Sequence, residues 1–311
     1  MKRLDPITLN ALAAELRGLL SGDVELDLPL APLTTYRLGG SADLALMPNG
    51  AEDLALALGV LRRRGAAHVV LGGGSNVLVS DGGVREVVVI TTGLAGLAVK
   101  GRAVVAGAGV ASHQVALAAR EAGLTGAEFL AWLPGSIGGA CLMNARAHGG
   151  EISGVLREAR VVAGDGRLVT RSLAPLDFSY KDSPFRREGL VVAEATFELE
   201  DGDAVEIQRR MDHIERARRG NHEMDHPSCG CVFKNDYSVG ISSGQLIDRC
   251  GLKGLTVGGA SVSPHHANFV LNNGSATAED VRQVIEQVQR TVLEQTGHRL
   301  ALEVQLLGEW G

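Results

Sequence analysis

The chain has 311 residues, 45% apolar and 21% charged, a globular composition with length for two or three domains that excludes a disordered or fibrous protein. A net charge of −6 argues against nucleic acid as a partner, and 41 glycines beside 4% aromatics indicate many turns and close backbone approaches. The four cysteines (Cys141, Cys229, Cys231, Cys250) are too few for a disulfide scaffold; with no apolar run of about 18 residues and no signal-peptide core after Met1, no membrane partner and a cytoplasmic location are expected.

In chain order, Ile7 to Leu20 reads as an amphipathic helix with Leu9, Leu12, Leu16 and Leu19 near one face. A proline-marked stretch (Pro29, Pro32) follows, then a strand from Asp43 to Met47 and a helix from Ala51 to Arg64 closed by Gly65. His68 to Leu71 reads as a short buried strand, Val84 to Thr91 and Gly101 to Gly107 as further strands, and Ser112 to Ala122 as a helix stopped by Gly123. Strands then dominate: Arg160 to Ala163, Arg167 to Arg171 and Leu190 to Leu199, with Gly164-Asp165-Gly166 suited to a hairpin turn. Val205 to Arg219 is a charged helix, and Asn221 to Pro227 a polar break placed as a domain boundary. Helices over Gly244 to Cys250 and Ala278 to Gly297, the second with an acidic start after Thr277, precede a last strand from Leu300 to Leu307.

Two glycine-rich segments stand out. Leu71-Gly72-Gly73-Gly74-Ser75-Asn76 follows a strand, and successive glycines let backbone N–H groups converge on a pyrophosphate, with Ser75 and Asn76 as added donors. No Gly-Lys-Ser/Thr follows it, and no helix opens at once, so it is neither a P-loop nor a Rossmann fingerprint; alone it is equally a tight turn. Trp132-Leu133-Pro134-Gly135-Ser136-Ile137-Gly138-Gly139-Ala140 is the second, running into Asn144, a polar residue among small apolar ones that needs a partner if buried. Two such loops suit a long ligand with a diphosphate, such as a dinucleotide flavin.

These segments belong to an ordered series: Thr35-Tyr36-Arg37-Leu38-Gly39-Gly40, Gly149-Gly150-Glu151, Tyr180-Lys181-Asp182-Ser183, Ser228-Cys229-Gly230-Cys231-Val232-Phe233-Lys234-Asn235, Gly251-Leu252-Lys253-Gly254, His266-Ala267-Asn268-Phe269 and Leu302-Glu303-Val304. The series resembles the UDP-N-acetylenolpyruvoylglucosamine reductases from about Pro32 to Gly308, and the short Leu199 to Pro227 segment resembles their shorter second type. The resemblance implies an α+β chain: the FAD-binding fold of the vanillyl-alcohol oxidase type in two subdomains, 1–92 and 93–204, and a substrate-binding α+β domain over 205–311 with a returning C-terminal strand. It also implies non-covalent FAD held by Gly72, Gly73, Gly74, Ser75, Asn76, Gly135, Ser136, Gly138, Gly139 and Asn144. NADPH is the implied reductant, a nucleotide sugar the small-molecule partner, and a monomer the expected state.

The implied reaction passes a hydride from NADPH through the flavin to the vinyl carbon of an enolpyruvyl ether, and charge develops as an enolate. The protein must then supply an acid and a cation. Cys231 stands where the family has a serine proton donor; unaided, the residue reads as a small buried hydrophobe, and its spacing from Cys229 gives no zinc pattern, so no metal is expected. Glu303, between Leu302 and Val304, either faces solvent by strand alternation or matches the family's catalytic glutamate. Lys181 replaces the family's usual arginine, keeping charge without the planar fork, and Arg146 is the rival cation. Tyr180, Arg218, Lys234, Asn235 and His266 are expected on the substrate side, although Arg218 and Arg219 also suit a solvated basic face. The competing readings are another flavin oxidoreductase of this fold acting on a different substrate, including an oxygen-using oxidase with a covalent flavin, a non-catalytic nucleotide-sugar module, and a cysteine hydrolase built on Cys231, for which no base pattern is present.

Overall fold

The computed structural model describes residues 5–221 and 226–310. In chain order its main elements are α1 (Pro6–Arg17), β1 (Asp23–Pro29), β2 (Ser41–Met47), α2 (Ala51–Arg63), β3 (His68–Leu71), β4 (Val77–Val79), β5 (Val87–Ile90), β6 (Leu97–Lys100), β7 (Ala103–Gly107), α3 (Ser112–Glu121) and α4 (Ile137–Leu142). They continue with β8 (Leu156–Val162), β9 (Leu168–Ser172), β10 (Val191–Glu198), α5 (Ala204–Asn221), α6 (Ser243–Arg249), β11 (Thr256–Val257), β12 (Ala260–Val262), β13 (Val270–Asn272), α7 (Ala278–Thr296) and β14 (Gln305–Leu307). The mixed helix and strand content is that of an α+β fold.

Local chemistry explains the element ends. Asp5 caps α1, its Oδ1 accepting from the N–H groups of Ile7 and Thr8 at 3.0 Å each, with Pro6 in the first turn where no N–H is required. At α7, Thr277 Oγ1 accepts from Asp280 N and Asp280 Oδ2 accepts from Thr277 N, both at 3.0 Å, and Gly297 closes the helix at φ +73. Asp81 adds a second acidic cap, accepting from Ala278 N and Glu279 N.

The chain divides into two units. Unit 1 comprises residues 1–27, 43–73 and 86–218; unit 2 comprises 28–42, 74–85 and 219–311. Unit 1 carries the sheet ordered β1-β2-β5-β3, whose β2–β5 and β3–β5 pairs are parallel, and the antiparallel sheet ordered β9-β8-β10-β7-β6. Its core draws Leu12 and Leu16 from α1, Leu54, Leu58 and Leu61 from α2, and Val161, Ala195 and Phe197 from the antiparallel sheet. Burying each such leucine is worth about 1.5–3 kcal/mol. Unit 2 carries the antiparallel sheet β11-β12-β13 beneath α7, and a parallel pair formed by β4 and β14. Its core joins Tyr36, Phe233, Val262 and Val270 to the Val281, Val284, Ile285 and Val288 face of α7.

Several expectations change. α1 ends at Arg17, and Leu19 lies beyond it, exposed, because the chain has already turned. β3 buries only Leu71 fully. The strand expected over Gly101 to Gly107 is β7, and an unexpected partner, β6, pairs with it as a hairpin that turns at Gly101 (φ +60). The last strand is confined to Gln305–Leu307, since residues 302–304 bond to residues 232–233 instead. α5 extends to Asn221, and residues 222–225 of the expected break lie outside the described residues.

Candidate active site

In unit 1 the first glycine loop lies directly on the second. Gly73 N donates to Ser136 Oγ at 3.1 Å. A Cβ on Gly72 would strike Ser136 Oγ, and one on Gly73 would come within 2.9 Å of Gly135 Cα and Ser136 N. Those glycines are therefore demanded by loop-on-loop contact. Gly74 belongs to unit 2, where its φ of +62 and the Leu33 carbonyl beside its Cα exclude any side chain. Gly139 differs: a Cβ there would meet nothing of the protein within 4 Å, so protein packing does not require glycine at that position. An open glycine beside two bare-backbone turns fits a group that must approach the main chain closely, such as a diphosphate.

Asn144 is buried, and its side chain is engaged by the protein: Oδ1 accepts from Ser153 N at 3.0 Å, and Nδ2 donates to the Ser179 carbonyl at 3.2 Å. Ser179 opens a two-residue turn closed by reciprocal Ser179–Asp182 backbone bonds, with Tyr180 and Lys181 at its tip. Ser183 Oγ, donating to the Leu142 carbonyl at 2.8 Å, ties the far side of that turn to the end of α4. Lys181 sits at φ +57, a left-handed conformation rare outside glycine, asparagine and aspartate. Its Nζ lies 6.0 Å from the Tyr180 ring centroid. Arg146 is exposed on a short hairpin, opposite Glu151 in register. The next turn holds His148 at φ +47 and Gly149 at φ +85.

The His148 imidazole is held below its usual pKa, first by burial and then by the positive charge of Arg218 and by His213. A cavity of about 630 Å3 lies between this hairpin, Phe129 and the basic face of α5 formed by Arg209, Arg210, His213 and Arg216. No residue of the glycine loops lines it. Glu206 and Glu128 offset part of that charge, Glu206 bonding Arg209 and both carboxylates lying within 4 Å of Arg210.

In unit 2, residues 232–234, directly after Cys231, run antiparallel to residues 301–304. Phe233 pairs with Leu302, Lys234 N donates to the Ala301 carbonyl at 2.9 Å, and Glu303 N donates to the Val232 carbonyl at 2.8 Å. Asn268 clamps the same segment: its Oδ1 accepts from Phe233 N at 2.9 Å, its Nδ2 donates to the Phe233 carbonyl at 2.8 Å, and its own carbonyl accepts from Val232 N. Asn76 Nδ2 donates to the Glu303 carbonyl at 3.0 Å while the Asn76 carbonyl accepts from Gln305 N, so the end of the first glycine loop fixes the backbone around Glu303. Glu303 is buried and Leu302 only partly so, which rules out the solvent-facing reading of the carboxylate.

Cys229 is buried and Cys231 half-buried. Burial pushes the Cys229 thiol up to about 12, and the neighbouring Cys231 and Glu303 push it in the same direction. Tyr36 is wholly buried against it; the Tyr36 hydroxyl faces the Cys229 sulfur without a hydrogen bond of regular geometry, and burial drives its pKa well upward. Asn235 Oδ1 accepts from Ser243 N at the start of α6, and the Lys234 carbonyl accepts from Ser243 Oγ at 2.6 Å. The His266 ring lies tilted against Phe269 with centroids 4.8 Å apart, its Nδ1 accepts from Asn268 N, and its pKa is lowered first by burial and then by Lys253. Among the described residues no three His, Cys, Asp or Glu side chains gather as metal ligands would.

Asn268 and Asn272 went unassigned in the sequence. Asn272, whose Nδ2 donates to the Tyr36 carbonyl at 3.0 Å, serves unit 2 as Asn144 serves unit 1. The signal was available: asparagine in an apolar run must find partners.

Residues 42–172 match a family described as FAD binding domain, and residues 222–307 match one described as UDP-N-acetylenolpyruvoylglucosamine reductase, C-terminal domain. The first match contains both glycine loops and the second contains Cys231, Lys234, Asn235, His266 and Glu303. The reductase of Pediococcus pentosaceus is 43% identical over 281 residues, covering 90% of this chain and 93% of that protein. That of Halalkalibacterium halodurans is 39% identical, covering 97% and 100%.

The chain belongs to the UDP-N-acetylenolpyruvoylglucosamine reductase family.

The crystal structure of the Thermus caldophilus reductase agrees, with 34% identity, a TM-score of 0.76 and coverage of 93% of this chain and all of that one. The fold of the flavin-binding part is thus the vanillyl-alcohol oxidase type, FAD is the cofactor, and NADPH is the reductant.

Proposed function

We propose that the chain reduces UDP-N-acetylglucosamine enolpyruvate to UDP-N-acetylmuramate for peptidoglycan precursor synthesis, as a monomer in the cytoplasm. Family membership over nine-tenths of the chain carries this reading; among the described residues no helix is long and apolar enough to cross a membrane. Residues 1–92 and 93–204 supply the flavin side and 205–311 the substrate side.

Bound FAD supplies the hydride step, from NADPH to the vinyl carbon of the substrate. The loops at Gly72–Asn76 and Gly135–Gly139 would hold its diphosphate by backbone N–H groups, and Asn144 positions the Lys181 turn through Ser179. Gly139→Ala tests that placement. A methyl there has room in the protein and suits a helix, so the variant should fold yet hold FAD about tenfold more weakly, a difference of about 1.4 kcal/mol. Unchanged FAD affinity would move the diphosphate elsewhere.

Cys231 holds a proton at Sγ for the substrate carbon that becomes carbanionic. A thiol does this more readily than the usual serine, because its free pKa is about 8.5. Glu303 presents a buried carboxylate on the facing segment, where it orients the reacting groups. Lys181 supplies a fixed positive charge for the carboxylate side of the enolate, where solvent would otherwise have to reorganise. Tyr180, Arg218, Lys234, Asn235 and His266 stay assigned to the substrate. For Lys234 and Asn235 the support is that Ser243 pins both residues; for Arg218 it is the charge it places beside His148. Incubation with NADPH and the enolpyruvyl sugar should yield UDP-N-acetylmuramate by mass spectrometry. NADPH oxidation that ignores the sugar would contradict the assignment.

A further inference from the structure

The mechanism uses Cys231 but gives no task to Cys229 or to the Tyr36 hydroxyl behind it. The two cysteines are separated by one glycine. Consecutive Cα atoms lie about 3.8 Å apart, so Cα atoms two residues apart span at most about 7 Å and less wherever the chain bends. Gly230 sits at φ +78 in a bend, and its Cα faces open space, leaving room for tightening. A disulfide needs a Cα separation of about 4.4–6.8 Å, within reach of that bend. Access is also graded, since Cys231 is half-buried and Cys229 is buried.

We propose that Cys229 and Cys231 form a reversible intrachain disulfide when the protein meets a peroxide, and that this bond removes the proton donor from the site. The effect on turnover rests on the reading of Cys231 as the acid; the bond itself does not. The more accessible Cys231 sulfur attacks a peroxide oxygen, the O–O bond breaks, and Cys231 becomes a sulfenic acid as one water leaves. The Cys229 sulfur then attacks the Cys231 sulfur, the S–O bond breaks, and the departing hydroxide leaves as water with the Cys229 proton. Both thiols are oxidised by two electrons in total, and the peroxide is reduced to water. Tyr36 has a part before the second step: its buried hydroxyl faces the Cys229 sulfur and can donate to the thiolate left when Cys229 gives up its proton. A ring spanning one glycine is strained, which raises its reduction potential and makes it readily opened by a dithiol. The bond therefore forms under oxidant and is reopened by thiols.

The test uses the full-length holoenzyme, treated with hydrogen peroxide, freed of it, and digested with trypsin without reduction. The peptide of residues 220–234 carries both cysteines. It should lose the mass of two hydrogens, and product formation should fall in step by roughly 10²-fold, the scale of a lost general acid. Dithiothreitol should restore both, while flavin reduction by NADPH stays unchanged throughout. Cys229→Ala should be as active as the wild type, yet should form no bond and show no dithiol-reversible loss; Cys229→Ser serves the same purpose if the alanine variant folds poorly. Peptides bearing only sulfinic or sulfonic acid at Cys231, or a Cys229→Ala enzyme that loses and regains activity like the wild type, would overturn the proposal. A disulfide formed with turnover untouched would support the bond and overturn the proton-donor reading.

Discussion

Two segments carry the charged and acidic groups assigned to the chemistry, and they are held in opposite ways. The Lys181 turn is short, partly exposed and left-handed at a residue that disfavours that conformation, and it is tied down at its base by Asn144 and Ser183. The Cys231 segment is anchored by the buried Val232 and Phe233, paired with residues 301–304, and clamped on both backbone groups of Phe233 by Asn268. The lysine stands on a long side chain whose point charge acts at a distance, so its backbone tolerates strain. A proton donor must be placed within hydrogen-bond reach of one carbon, so its backbone is over-determined.

The comparison breaks most visibly at the acid. Cys231→Ala should leave flavin reduction by NADPH nearly intact and slow reoxidation by the sugar by roughly 10²-fold or more, whereas Cys231→Ser should keep much of the rate. Equal slowing of both half-reactions would make Cys231 a packing residue. At the strained turn, Lys181→Met should slow reoxidation by roughly tenfold or more, and Lys181→Arg should be tolerated because a guanidinium fork suits a carboxylate. A mild Lys181→Met with a severe Arg146→Met would hand the role to the exposed hairpin arginine.

Stability sharpens the contrast. Asn268→Ala strands the buried Phe233 N–H and should cost about 1–3 kcal/mol in chemical denaturation, with a parallel loss in the sugar half-reaction. Lys181→Gly should do the reverse: relief of the left-handed strain should raise stability by about 1 kcal/mol while activity falls. A destabilised glycine variant would mean the turn is not strained.

The glycine loops and the capped helix starts were legible because each depends on local residue type, bare backbone and capping acids; the α+β class and the roles of the site segments came with the resemblance. What the sequence hid were choices between partners. Alternation over Leu300 to Leu307 reads as one strand, yet residues 302–304 bond to residues 232–233, and Glu303 becomes buried instead of solvent-facing. Asn144, polar in an apolar run, reads as a residue that needs a partner, and the resemblance made that partner the cofactor; the same partner logic applied to Asn268 would have found the clamp on Phe233. β6 escaped notice because all four of its residues are exposed and no burial pattern marks it. The need for glycine at position 74 comes from the Leu33 carbonyl in its own unit, so that position cannot report on flavin as Gly139 can.

The most direct measurement is anaerobic single-turnover spectroscopy of the flavin in the wild-type protein. NADPH should bleach the oxidised flavin absorbance, and one equivalent of UDP-N-acetylglucosamine enolpyruvate, added after NADPH is exhausted, should restore it without oxygen. Absorbance that stays bleached with the sugar and returns only when air is admitted would contradict the account.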